Sequence, residues 1–193
     1  MQSVERISEI ITEVFSPFVL SGLLLCLIAV VTDPGWVLPV GLSLVFIVGL
    51  PFALSVWMHR TGRTSDRYIQ ERQQRTPFYV GTLVSYVVGA VSLNLVGSSA
   101  QMLLALNLSI AAILVVALVN LKVKVSVHAL VAALFALIAP LYISWGPLAW
   151  VLGGLVWAST VCARWSLRKH SALELALGTA LGGLLAWVFV LLR

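Results

Sequence analysis

Residues 77–121 read PFYVGTLVSYVVGAVSLNLVGSSAQMLLALNLSIAAILVVALVNL, a stretch that contains no charged side chain. A helix needs about 20 apolar residues to cross the roughly 30 Å hydrocarbon core of a bilayer, so this stretch fits two crossings. Gly97-Ser98-Ser99 is the natural break between them, because glycine and serine favour turns. The stretch therefore predicts a pair of membrane-spanning helices.

The composition of the whole chain also indicates a protein that lies in a membrane. Of its 193 residues, 61% are hydrophobic and only 10% are charged, far from the balance of a soluble domain. No linker, low-complexity tract or long polar loop interrupts the sequence. We therefore predict an integral membrane protein with a single domain over residues 1–193.

Four further charge-poor stretches complete the predicted architecture. The turn Asp33-Pro34-Gly35 separates the first two spans, and Trp145-Gly146-Pro147 divides a long apolar stretch that contains His128 alone as an ionisable group. These stretches are Val14–Thr32, Trp36–Met58, Val125–Ala163 (two crossings) and Leu175–Leu192. The sequence predicts an all-α, polytopic membrane helix bundle with seven transmembrane helices, or six if Val14–Thr32 does not span.

An amphipathic segment precedes these spans. Its apolar residues recur at helical spacing, and glutamates and a serine occupy the other side. The apolar set is Val4, Ile7, Ile10, Ile11, Val14 and Phe15, and the polar set is Glu5, Ser8, Glu9 and Glu13. This pattern predicts a helix that lies in the membrane interface and ends before Pro17.

With seven spans, the basic residues fall almost entirely on one face of the membrane. Eleven of the twelve lysines and arginines lie there, and only Arg193 lies opposite. Short basic loops mark the cytoplasmic side, so we expect this face to be cytoplasmic in a bacterial or archaeal inner membrane. Anionic lipid headgroups are the nearest counter-ions for these residues, and nucleic acid is not an expected partner.

The spacing of residues 163–178, ARWSLRKHSALELALG, points to a site on this face. His170 and Glu174 are four residues apart, which places them on the same side of a helix one turn apart. Arg164 precedes them by a short interval. A histidine oriented by a carboxylate, with a guanidinium nearby, is a set suited to phosphate chemistry.

Two other segments on the same face add residues of the same kind. Lys124, Ser126 and His128 stand at the start of the fifth span, and several arginines lead into the third. We expect the three loops, near residues 66–77, 122–128 and 163–174, to close one anion pocket. No acidic cluster or histidine pair has a metal-ligand spacing, so neither a metal nor another cofactor is expected.

In these segments the chain resembles the type-2 phosphatidic acid phosphatase superfamily of membrane lipid phosphatases, whose pattern is K-x6-R-P, then P-S-G-H, then S-R-x5-H-x3-D. The third motif corresponds to Ala163-Arg164-x5-His170-x3-Glu174, with every spacing intact. The second corresponds to Val125-Ser126-Val127-His128. The resemblance covers about residues 66–180.

The first motif is the loosest match. Arg75-Thr76-Pro77 has one residue inserted before the proline, and the position seven before Arg75 is Tyr68 instead of lysine. Arg67 or Arg72 is expected to replace that lysine, and the sequence does not choose between them. The chain also has Val127, Glu174 and Ala163 where the family has glycine, aspartate and serine.

The resemblance implies a role for each matching residue. His170 is the expected nucleophile and forms a phosphohistidine, while Glu174 holds its other ring nitrogen. His128 is the expected general acid and base. Phosphate oxygens are expected to bind Ser126, Lys124 and the arginines, which are Arg164, Arg75 and one of Arg67 or Arg72.

Two classes of function follow from this reading. The first is a metal-independent hydrolase of a membrane lipid phosphate or diphosphate, such as a prenyl phosphate, phosphatidate or phosphatidylglycerol phosphate. The second is a degenerate membrane protein or transporter that binds lipid phosphate headgroups without turnover. The apolar spans do not distinguish between lipid tails, and the oligomeric state stays open.

Overall fold

The computed structural model describes residues 2–66 and 68–193, and of Gln2 only the main chain. These residues form nine α-helices and no β-strand. In chain order the helices are α1 Gln2–Val14, α2 Pro17–Thr32, α3 Val37–Ser43, α4 Leu50–Arg60, α5 Arg75–Leu95, α6 Ala100–Asn120, α7 Val127–Ile138, α8 Pro147–Ser166 and α9 Ala172–Leu192. The predicted all-α class is confirmed.

Six helical segments of the described chain are long and apolar enough to cross a membrane, which confirms a polytopic membrane protein. They are Ser3–Thr32, Val37–Arg60, Arg72–Leu95, Ala100–Asn120, Pro147–Ser166 and Ala172–Leu192. The fifth of the seven predicted crossings is shorter and is not one of these six. It is Val127–Leu141, in which a 3-10 turn follows α7. At about 1.5 Å per residue, it measures only about 22 Å.

The predicted breaks between helices are present, and each has a local cause. Gly97 and Gly146 adopt positive φ angles of 70° and 56°, which glycine tolerates at no steric cost. Ser99 caps α6 by accepting a hydrogen bond from the Met102 N–H at 3.2 Å. Pro147 starts α8, where its missing N–H has no helical partner to lose.

The amphipathic N-terminal helix is also present as a separate element. Ser16 caps α2 and Pro17 is the first residue of that helix, so α1 and α2 are separate helices within the segment Ser3–Thr32. Ser8 and Thr12 are buried on α1, which contacts α8, while Ile7 and Ile10 are more than half exposed. The apolar stripe of α1 is therefore turned away from the protein, as an interfacial helix requires.

The chain divides into two compact units, and the single-domain prediction stays a prediction. The first unit contains residues 1–28 and 125–193, and the second contains residues 29–124.

In the first unit, α7 and α9 run parallel and pack closely along two glycines. A Cβ at Gly178 would collide with the Ser126 carbonyl, and one at Gly182 would collide with the Leu130 carbonyl. The Ser126 N–H also donates to the Glu174 carbonyl at 3.2 Å. Backbones approach this closely only where a small residue faces the partner helix.

Helix α8 runs antiparallel to α7 and α9 and completes this three-helix group. Gly153 faces the Ala136 backbone, and the Trp157 indole N–H donates to the Thr179 hydroxyl at 3.2 Å. At the far end, burial raises the pKa of the Tyr142 phenol, and the nearby Arg193 counteracts part of that rise. The starts of α7 and α9 and the end of α8 thus lie at one end of the unit.

In the second unit, the buried Asp33 carboxylate anchors the start of α6. It accepts hydrogen bonds from the Ser99 N–H and hydroxyl, both at 2.7 Å, and from the Thr32 hydroxyl at 3.1 Å. A carboxylate is favoured at a helix N-terminus, where unpaired N–H groups carry partial positive charge. This bond network fixes the predicted turn after α2.

A π-helix, Leu44–Gly49, joins α3 to α4, and Pro51 explains it. The Leu50 N–H donates to the Val45 carbonyl five residues back. Pro51 has no N–H for the next bond of this series, so the Phe46 carbonyl needs another donor. It accepts the Ser85 hydroxyl of α5 at 2.5 Å, and Gly89 lets α5 approach.

Candidate active site

The start of α7 brings two of the predicted residues into the buried part of the first unit. Ser126 is the N-cap of α7, where its hydroxyl oxygen accepts the Ala129 N–H at 3.4 Å, and it is fully buried. His128 follows in the first turn and is 4% exposed. Because the Ser126 oxygen acts as an acceptor in the cap, its own O–H is the group suited to a phosphate oxygen.

Helix α9 begins with a capping box that also holds the predicted nucleophile. The Ser171 hydroxyl accepts the Glu174 N–H, and the Glu174 carboxylate accepts the Ser171 N–H at 3.4 Å. The same carboxylate oxygen lies 2.7 Å from His170 Nδ1, and the His170 side chain is 2% exposed. With Glu174 ionised, Nδ1 carries the hydrogen, and the lone pair of the imidazole is on Nε2.

This geometry shows what a glutamate does at position 174, where the motif of the resembled family has aspartate. Glutamate at the third helical position is the residue that closes a capping box. Its length lets one oxygen reach both the Ser171 N–H and the His170 ring. A glutamate at this position therefore orients the imidazole.

Val127 stands where the second motif of the resembled family has glycine. Val127 is the first residue of α7, and the described residues with positive φ do not include it. A β-branched residue adopts helical φ and ψ angles without strain. The backbone at this position therefore does not require glycine.

The fifth predicted residue of this unit, Arg164, lies in the last turn of α8 and is 2% exposed. A cation at a helix C-terminus is favoured by the helix dipole. Ser126, His128, Arg164 and His170 are all buried polar residues of the first unit. The Ser126–Glu174 main-chain bond directly connects the second and third motifs.

An open groove of about 510 Å³ lies beside His170. Its lining residues belong to the end of α8, the turn that follows and the start of α9. They are Trp165, Ser166, Arg168, His170, Ser171 and Ala172. His170 is thus the one residue of the proposed catalytic set that lines this groove.

The residues of the loosest motif lie in the second unit and hold the end of α6. Arg75 is 5% exposed, and its Nε donates to the Ile69 carbonyl at 2.8 Å. The Arg72 guanidinium donates to the Leu121 carbonyl at 2.6 Å and to the Asn120 carbonyl at 3.2 Å. Arg72 therefore satisfies carbonyls at the end of a helix that have no partner within it.

Asn120 also belongs to this cluster, although none of the three motifs contains it. Its side-chain oxygen accepts Arg75 at 3.5 Å, and its amide donates to the Arg72 carbonyl at 3.3 Å. Its only sequence signal is a polar amide at the end of an otherwise apolar span. Ile69, at a φ of 49°, is strained for a β-branched residue and directs its carbonyl to Arg75.

Two predicted phosphate-binding residues remain, Arg67 and Lys124. Arg67 lies outside the described residues, so the choice between it and Arg72 stays open. Lys124 lies in the segment that connects α6 to α7 along the chain. It is half-buried and is the last residue of the second unit. That all three motif segments close one pocket stays a prediction. In residues 2–66 and 68–193, no group of three or more His, Cys, Asp or Glu side chains is placed to hold a metal ion.

Fold and site together define a polytopic α-helical membrane protein in which a buried histidine pairs with a half-buried carboxylate at one end of a three-helix group. No family model, curated protein or solved structure matches the chain.

Proposed function

We propose that this protein is a metal-independent phosphatase that hydrolyses a membrane lipid phosphate or diphosphate through a phosphohistidine. The observation that carries the proposal is the contact of His170 with Glu174 at 2.7 Å, in which His170 is buried and Glu174 is tied by a main-chain bond to the segment of His128. Prenyl phosphates and diphosphates, phosphatidate and phosphatidylglycerol phosphate all have the required chemistry.

In the first step, His170 Nε2 attacks phosphorus and forms the P–N bond while the bond to the leaving oxygen breaks. Glu174 stabilises the positive charge that develops on the imidazole. His128 gives a proton to the leaving oxygen as general acid. The first product is the lipid less one phosphoryl group, which is an alcohol from a lipid phosphate and a lipid monophosphate from a diphosphate.

In the second step, water replaces the lipid. His128, now neutral, removes a proton from the water as its oxygen attacks phosphorus, and the P–N bond breaks. Inorganic phosphate and neutral His170 result. The Ser126 hydroxyl donates to a phosphate oxygen, and the Arg164 guanidinium neutralises the charge that builds on the phosphate oxygens. The roles of Arg75, Arg72, Arg67 and Lys124 stay predictions.

Turnover is expected to survive chelation. Purified protein should release phosphate from phosphatidate or a prenyl diphosphate at rates within about twofold with and without EDTA, because nucleophile, acid and charge stabilisation all come from side chains. Vanadate, which adopts the five-coordinate geometry of the transition state, should inhibit. A magnesium-dependent phosphatase assayed alongside is the control for chelation. Abolition of turnover by EDTA would contradict the histidine mechanism.

The same assay separates the two classes of function. A protein that binds lipid phosphate headgroups without turnover would show vanadate or phosphate binding with no phosphate release over the whole substrate panel. That result would replace hydrolysis with binding as the function. The panel also identifies the lipid, which the apolar spans leave open.

We also propose that the site faces the cytoplasm and the C-terminus lies outside, because basic residues in short loops set topology. Alkaline phosphatase fused to the C-terminus should then be active, and a fluorescent protein fused there should be dim. Both fusions at the N-terminus, on the opposite side under seven crossings, are the matched control. An inactive phosphatase fusion with a bright fluorescent one would overturn either the orientation or the number of crossings.

A further inference from the structure

The turn between α8 and α9 holds a charged residue in a conformation that favours glycine. Arg168 has a φ of 52°. Its N–H donates to the Trp165 carbonyl at 2.9 Å, and the Lys169 N–H donates to the Arg164 carbonyl at 3.2 Å. These two bonds form a Schellman motif, which ends a helix with a left-handed residue that is usually glycine.

A Cβ makes this conformation unfavourable, so a side chain at position 168 has a cost that a glycine would avoid. Positive charge near the membrane surface does not explain the choice, because the positive-inside rule counts charges in a loop and does not require a particular position. Neighbouring positions, such as Ser166, would carry the charge without left-handed strain. The position of Arg168 therefore has to be explained by what its side chain reaches.

Arg168 lines the groove that also contains His170. Its side chain is exposed and, among the described residues, makes no hydrogen bond or ion pair. Trp165, which is 55% exposed, lines the same groove. Tryptophan favours the level of the lipid headgroups, so the groove has the chemistry of a headgroup site at the membrane surface.

We propose that Arg168 binds phosphate oxygens of the ligand in this groove and acts as a specificity-determining residue for phosphate-bearing lipids. The inference rests on the proposed function, in which His170 attacks the same phosphate. Arg164 contributes charge from the buried side, and Arg168 contributes it from the open side. The guanidinium fork suits two phosphate oxygens at once.

The test is the variant Arg168→Gly, which removes the side chain while the turn keeps its preferred residue. We expect the KM for phosphatidate or a prenyl diphosphate in detergent micelles to rise about tenfold, with kcat within about twofold, as for loss of one charge-assisted hydrogen bond. The melting temperature should stay the same or rise, since the left-handed strain is relieved. Arg168→Lys keeps the charge and should recover part of the affinity.

Two further measurements make the result specific. Arg60→Gln removes an exposed charge from another basic segment, outside the three motif loops, and should leave KM unchanged, so an equal rise in that variant would assign the effect to surface charge and overturn the inference. Calorimetric titration with inorganic phosphate measures binding without turnover and without a lipid. We expect its Kd to weaken about tenfold in Arg168→Gly.

The outcomes separate this inference from the proposed function. Wild-type turnover with an unchanged KM in Arg168→Gly overturns the inference alone, and so does a lower melting temperature, which would make Arg168 a structural residue. No wild-type turnover, with phosphate binding that depends on Arg168, supports the inference and rejects hydrolysis. Neither turnover nor phosphate binding rejects both.

Discussion

Replacing His170 with alanine is expected to abolish phosphate release, with a loss of about three orders of magnitude or more, because it removes the group that bonds to phosphorus. No phosphoenzyme should be trapped when the reaction is quenched, whereas the wild-type protein should yield an acid-labile, base-stable one. The control is the melting temperature of the variant, which should remain close to that of the wild type. Undiminished turnover in His170→Ala would exclude the nucleophile assignment.

The other two residues of the proposed machinery should respond differently. His128→Ala should slow the loss of poor leaving groups most, because it removes the proton donor and leaves the nucleophile. Glu174→Gln should lower turnover less than either histidine substitution, since a glutamine oxygen still accepts the His170 Nδ1–H. Equal and mild losses in His170→Ala and His128→Ala would contradict this division of roles.

Replacing Gly178 with alanine is expected to weaken both the fold and the site. The added Cβ would meet the Ser126 carbonyl, so α9 has to move away from α7. Overpacking of this kind costs about 1–3 kcal/mol. The shift also separates Ser126 from Glu174, and a displacement of about 1 Å at a reacting centre lowers the rate about a hundredfold. Thermal unfolding in detergent and phosphate release measure the two effects.

Gly183 supplies the matched control on the same helix. A Cβ built there meets no atom within 4 Å. Gly183→Ala makes the same chemical change and gains helix propensity, so its stability should be unchanged or slightly higher. If Gly178→Ala and Gly183→Ala unfold at the same temperature, close packing of α7 on α9 does not stabilise the protein.

Much of the helical architecture could be predicted from the sequence because apolar length and turn residues are local properties. Glycine and proline favour helix breaks in any fold, so Gly97 and Pro147 predict breaks from the sequence alone. The short fifth crossing could not be predicted in this way, since hydropathy stays high over Val125–Ala163 and does not show where a helix stops. The π-helix was also missed, because Pro51 alone predicts a kink and not the carbonyl that Ser85 reaches.

For the site, the same distinction applies. The His170–Glu174 pair could be predicted, because residues four apart share a helix face. The Ser126–Glu174 bond and the Gly178 contact could not, because they depend on how two helices meet. The capping of α6 by Arg72 depends on the path of the preceding loop, which no spacing rule describes. The sequence does not predict the left-handed conformation of Arg168, because glycine is the residue that usually indicates this conformation.

The π-helix links two distant positions in a way that bears on how the sequence can diverge. The Phe46 carbonyl depends on the Ser85 hydroxyl because Pro51 has no N–H to offer. A substitution of Ser85 by alanine is therefore harmful while proline occupies position 51, and becomes tolerable once that position carries a residue with an N–H. The order of mutations therefore matters. We expect the two positions to be inherited as a pair, with either both a proline at position 51 and a hydroxyl at position 85, or neither.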